Sequence, residues 1–87
     1  MYFIAKKFYK LQANANYLPG KGKIPEDGKS ITALHCIAQP VGDVIFRTIN
    51  NQICTFPPEA FVVGAIYPYE IIQVNEIAAD AFIGLSE

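Results

Sequence analysis

The chain has 87 residues, 52% hydrophobic and 17% charged, with a formal net charge of −1. That length holds one domain, and the composition is too apolar and too weakly charged for a disordered segment. So short a chain buries only about 60–65% of the surface it exposes when unfolded, so part of its apolar surface is expected to be shared with other subunits.

Charge and hydropathy narrow the classes further. The longest apolar run, Ala60 to Tyr67, is eight residues long and includes a glycine, against the ~20 that a spanning helix needs; no membrane partner is expected. The opening MYFIAKKFYK puts its apolar residues before its lysines, the reverse of a secretory leader, which suits a cytosol-like compartment. The weak net charge argues against a nucleic-acid partner. The charge is nevertheless split. Residues 1–29 carry six lysines against Glu26 and Asp27, a net +4, whereas residues 30–87 carry Arg47 against six carboxylates, a net −5. A basic segment and an acidic body can attract each other in neighbouring copies, or the basic segment can lie on an acidic partner; simple solvation of six lysines is the alternative.

In chain order, YFIAKKFYK is compatible with a first strand, and QANANYLPGKGKIPEDGK, punctuated by Pro19, Gly20, Gly22, Pro25 and Gly28, reads as loop. Residues 1–29 are therefore expected to form an extended N-terminal arm, since a structureless stretch of that length usually makes contacts outside its own domain. Residues 30–87 are expected to form the domain proper. Its runs ITALHCIA, VIFRTI, QICTF, YEIIQVNEI and AFIGL are rich in strand-favouring residues. Turn signals separate them at 39–43, Asn50–Asn51, Pro57–Pro58, Tyr67–Pro68 and 78–80, and Asn50–Asn51 suits a two-residue hairpin. Period two places Leu34 and Cys36 opposite His35 and Ile37, Val44 and Phe46 opposite Ile45, Arg47 and Ile49, and Ile72 and Val74 opposite Ile71 and Gln73. Apolar residues on both faces suit a sheet covered by its own core on one side and a neighbour on the other. The fold class is thus all-β, a small antiparallel sandwich or barrel of five to six strands. No helix is expected beyond one turn in EAFVVGA at 59–65.

Catalytic constellations are sparse. His35, the single histidine, lies beside Cys36 in one strand, so the two point to opposite faces and the imidazole is poorly placed to activate the thiol. Cys36 and Cys54 form no CxxC pair, and the chain does not supply a tetrahedral zinc set. A disulfide between them requires neighbouring strands; free buried thiols are the expected state in a reducing cytosol. The carboxylates fall mostly at turns and strand ends, and the GKG at 20–22 lacks the strand-to-helix setting of a phosphate loop. No enzyme, cofactor or metal is expected. The aromatic–proline corners at Phe56, Tyr67 and Tyr69 suit a subunit interface. With Phe46 they also suit a small binding barrel for sugar or another ligand.

The stretch from Ile31 to Leu85, about 55 residues, resembles a small β-domain of tailed-bacteriophage virion proteins, of the spike-base and capsid-decoration type. The resemblance is carried by the opening ITAL strand, the Gly42–Asp43 turn, Pro68 followed by Ile71 or Ile72 and Val74, and a closing strand from Ala81 to Leu85. Cys36, Cys54, the double proline and the lysine-rich segment lie outside that pattern. The resemblance implies a structural role on a virion assembled in the host cytoplasm. It further implies a homo-oligomer, a trimer, that decorates or cements the capsid, with the major capsid protein or another virion protein as partner; a tail, spike-base or head-fibre adaptor is the alternative. The arm residues assigned to partner binding are Tyr2, Ile4, Lys6, Lys7, Phe8, Tyr9 and Lys10, which could add a strand to a neighbour's sheet edge.

Overall fold

The computed structural model describes residues 5–18 and 29–86. Its elements are β1 (Lys7–Lys10), β2 (Tyr17–Leu18), β3 (Lys29–Ser30), β4 (Ala33–Cys36), β5 (Val44–Thr48), β6 (Ile53–Phe56), a 3-10 turn (Pro58–Ala60), β7 (Ile66–Tyr67), β8 (Ile71–Val74), α1 (Glu76–Ala81) and β9 (Phe82–Ser86). The strands build a four-stranded antiparallel sheet in the order β1-β9-β4-β7 and a three-stranded antiparallel sheet β6-β5-β8; β2 and β3 form a short parallel pair. The fold is all-β and sandwich-like, with the two sheets open rather than closed into a barrel. All five strand runs expected from the sequence contain strands.

The core lies between the sheets. Leu34, Cys36 and Phe82 from the larger sheet meet Val44, Phe46, Ile71 and Val74 from the smaller one. Phe46 is the bridge: its ring centroid lies 5.9 Å from those of Phe56 and Phe82, 6.1 Å from Phe61 and 6.2 Å from Tyr69. Tilted and edge-on pairs of this kind add about 0.5–1.5 kcal/mol each beyond the area they bury.

The domain boundary expected at residue 29 does not separate an arm from a body within the described residues. Strand β1 pairs with β9 from Lys7↔Ser86 to Lys10↔Ile83, and Leu11 and Tyr17 belong to the core cluster. The reason is Gly84 in the middle of β9. The side chains of Leu11 and Ile31 fill the space over it, so that a Cβ there would overlap Ile31 Cδ1 and come within 3.0 Å of Leu11 Cδ2. The loop between Leu11 and Tyr17 is closed by hydrogen bonds between the Tyr17 hydroxyl and the Gln12 backbone N–H and carbonyl. It is held to β8 by Asn14 N–H donating to the Val74 carbonyl at 3.2 Å. Asn14 adopts φ of 63°, a left-handed conformation that asparagine tolerates better than most residues.

Three local expectations change. The β5–β6 connection has three loop residues rather than two. Asn51 N–H donates to the Thr48 carbonyl at 2.8 Å, Thr48 N–H to the Gln52 carbonyl at 2.9 Å, and Asn51 alone takes a positive φ, 64°, the usual form of a three-residue hairpin. The alternation read for Ile71–Val74 is interrupted. Arg47 faces Gln73 but Thr48 faces Ile71, so Ile72 is the extra residue of a bulge and both Ile71 and Val74 reach the core.

Finally, the run YEIIQVNEI stops being strand at Val74, and a helix follows at Glu76–Ala81. Asn75 is its cap. Its Oδ1 accepts from Ala78 N–H at 3.0 Å and from Ile45 N–H at 3.3 Å, while its Nδ2 donates to the Asp43 carbonyl at 3.0 Å. One side chain therefore starts the helix and ties it to β5. Asn75→Ala is expected to cost about 1–3 kcal/mol, a cap plus cross-strand hydrogen bonds, lowering the melting midpoint by roughly 4–8 °C per kcal/mol in a domain of this size. Asn75→Asp, which keeps the capping acceptor and loses the donor, should fall between the two in a thermal melt.

Candidate assembly surface and aromatic cleft

Register sorts the four-stranded sheet into two faces. Tyr9, Gly84, Leu34 and Tyr67 form one row across the four strands and face the core. The neighbouring row, Lys10, Ile83, His35 and Ile66, faces away from it. On this outer face Phe8 is 67% exposed, Ile66 53% and Ile37 46%. Phe8, Lys10, Ile37 and Ile83 line a groove of about 480 Å3 together with the core-side Tyr9 and Phe82 and with Ala79 and Asp80 of the helix. Beside it, Val62 and Val63 project from a turn closed by Ala65 N–H donating to the Val62 carbonyl at 3.1 Å, with Gly64 at φ 94°, the conformation that the third residue of a type II turn requires.

Tyr2 and Ile4, assigned to partner binding from the sequence, lie outside the described residues. Lys6 and strand β1, with Lys7, Phe8, Tyr9 and Lys10, form one edge of the sheet. Lys6 N–H donates to the Ser86 carbonyl at 2.8 Å, continuing the ladder within the chain. Tyr9 turns inward to the core and Phe8 outward. Exposed lysines along an open edge are also what natural sheets use against indiscriminate edge pairing.

The three residues assigned to a subunit interface are brought together. The Phe56 and Tyr69 rings are stacked at 6.4 Å and within 7° of parallel, and Tyr67 lies 5.7 Å from Tyr69. Tyr67 also serves the fold, its hydroxyl accepting from Val62 N–H at 2.8 Å. Phe56 and Tyr69, with Phe46, border a cleft of about 340 Å3 at the hairpin end of the three-stranded sheet. The sequence reading missed Phe61 and Phe82, which complete the ring cluster; it anticipated apolar residues on both faces but not which of them turn outward. A run such as AFIGL shows that both faces are apolar without saying which residue meets which.

Cys36 and Cys54 sit in different sheets, both as free thiols. Cys36 is fully buried, with Sγ donating to the Ala38 carbonyl at 3.4 Å; burial pushes its thiol up, partly offset by that hydrogen bond. Cys54 is half-buried and lines the cleft. Among the described residues no three His, Cys, Asp or Glu side chains gather as a metal site, and no helix is long and apolar enough to cross a membrane. Comparison of the chain with protein-family models, curated proteins and solved structures finds no match.

An alkylating reagent should therefore label Cys54 in the folded chain and Cys36 only on unfolding, one adduct and then two by intact mass. The folded state holds the Cys36 proton to higher pH than the unfolded chain does. Stability is thus full below the ordinary thiol range and falls as pH rises through about 8.5 and beyond, where only the unfolded thiol ionises. Melts of Cys36→Ala across pH 7–10 should lose that slope, and midpoints of the parent chain should not shift with reductant.

Proposed function

We propose that the chain is a structural protein of a tailed-bacteriophage virion, an all-β domain that decorates or cements the capsid by packing against other subunits. The observation that carries this reading is the outward face of the four-stranded sheet, where Phe8, Ile37 and Ile66 are exposed and Ile83 is half-buried beside Lys10 and His35. Burying a few hundred Å2 of such surface supplies several kcal/mol at ~25 cal/mol per Å2, before association costs are subtracted. The sequence resemblance of residues 31–85 to phage β-domains points the same way. A basic open edge at Lys6, Lys7 and Lys10 adds attraction to acidic surfaces. On a lattice of identical subunits, modest contacts become firm attachment through multivalency. A tail, spike-base or head-fibre position uses the same surface and differs only in the particle site.

Two measurements test the proposal. Particles banded from cells that produce the chain should contain it in stoichiometric amounts by mass spectrometry, and its absence from them refutes the virion role. Light scattering across concentrations should give the mass of a trimer, reduced towards one chain by Phe8→Asp or Ile66→Asp. A mass unaltered by either substitution removes this face from the interface. Attachment through the lysine edge should weaken as salt rises towards ~0.5 M, where exposed charges are screened within a few Å.

A further inference from the structure

The cleft at the hairpin end of the three-stranded sheet has a chemical character that the assembly reading does not use. Its lining includes Phe46, Cys54, Phe56, Tyr69, Glu70 and Ile71. Phe46 is 2% exposed and Ile71 1%, whereas Tyr69 is 37% exposed, so the cleft runs from an apolar interior to an aromatic lip. The three rings meet there: Phe46 is tilted 53° to Phe56 and 60° to Tyr69, and Phe56 and Tyr69 are nearly parallel. One residue of the lining carries a formal charge, Glu70. Arg47, on the strand that carries Phe46, is outside the lining and donates from Nη1 to Asn51 Oδ1 at 2.7 Å.

We propose that this cleft is a binding site for a small organic ammonium ion. Aromatic faces carry the negative side of the ring quadrupole and attract a cation within about 6 Å, most strongly where water is excluded. A carboxylate at the rim adds attraction of the same sign and disfavours anions. A bare metal ion is not matched, because one carboxylate among rings does not provide the set of oxygen ligands that hard cations take. A neutral apolar molecule satisfies the rings and leaves Glu70 unused. An alkylated ammonium group satisfies both and fits easily within about 340 Å3. The proposal does not depend on the virion reading, since it concerns the inner face of the three-stranded sheet and not the outer row of the other sheet.

The test compares choline with 3,3-dimethylbutan-1-ol, its uncharged counterpart of nearly the same shape, on the full chain. Amide resonances of Cys54, Phe56, Tyr69 and Ile71 should shift saturably with choline, and bound choline should slow alkylation of Cys54, the accessible thiol in the cleft. The uncharged alcohol should bind roughly five- to thirty-fold more weakly, the span of a desolvated cation–π contact. Glu70→Gln, a change at an exposed position that should leave the melting midpoint in place, should weaken choline about three- to ten-fold. Tyr69→Leu should weaken it further while Tyr69→Phe retains it. Absence of saturable shifts with choline, equal binding of the alcohol, or unaltered affinity in Glu70→Gln each overturns the proposal.

Discussion

The contact on which the rest of the molecule depends is the one between Phe46 of the smaller sheet and Phe82 of the larger, 5.9 Å between ring centroids. The strands are short, none longer than five residues and three of them only two, so each hydrogen-bonded ladder is small. Hairpins and isolated small sheets are marginal in water unless another layer covers their apolar face. Here the covering layer is the opposite sheet, and six rings make the joint. Phe61 touches Phe82 edge-on at 4.9 Å and Tyr67 at 5.2 Å, extending the cluster from the hub towards the edge strand β7. Directional ring contacts of this sort hold two sheets at a defined offset better than aliphatic side chains do, because the quadrupoles favour tilted over face-to-face arrangements.

That joint also explains what is left uncovered. A chain of 87 residues cannot bury two faces of two sheets. With the inner faces committed to the ring cluster, the outer face of the larger sheet leaves Phe8, Ile37 and Ile66 exposed. Towards the hairpin end of the smaller sheet, Phe46, Phe56 and Tyr69 border a cleft instead of packed core. Both surfaces follow from the same shortage of covering chain.

Strand runs were legible because Ile, Val, Thr, Phe and Tyr cluster between glycine, proline and asparagine turns, and period two put Leu34 with Cys36 and Val44 with Phe46 on shared faces; which face turns inward came only with the structure. The helix was not legible: six residues span fewer than two turns, too few for a 3.6-residue period to show, and its signal was one capping asparagine followed by an alanine-rich segment. The bulge at Ile72 has no local signature, because it is set by the pairing of Arg47 with Gln73 and Thr48 with Ile71. Lys7 to Lys10 and Leu11 looked like part of an arm because their environment is long-range. The partner of β1 is β9, some 75 residues later, and the slot for Leu11 exists only because residue 84 is glycine. For the candidate site, Phe56, Tyr67 and Tyr69 were marked by adjoining prolines. The role of Glu70 depends on which side of the sheet its neighbours face, which composition cannot give.

The two unfilled surfaces differ in kind, and the difference bears on what each can hold. The outer face mixes exposed Phe8, Ile37 and Ile66 with Lys10 and His35, and Lys10 and Asp80 both line the groove beside it. Charges of both signs at the margin of an apolar face suit a protein surface, where an apolar centre supplies affinity and rim charges set orientation. The cleft is smaller, its floor is buried Phe46 in contact with four other rings, and its one charged lining residue is acidic. A pre-formed floor removes the ordering cost that a mobile surface would subtract from binding. Since Phe46 is at once that floor and the link between the sheets, a molecule seated against it binds the folded state and not the unfolded one. Occupancy of the cleft and cohesion of the two sheets are therefore linked by mass action, and a weak ligand at high concentration stabilises the same joint that holds the larger sheet in place.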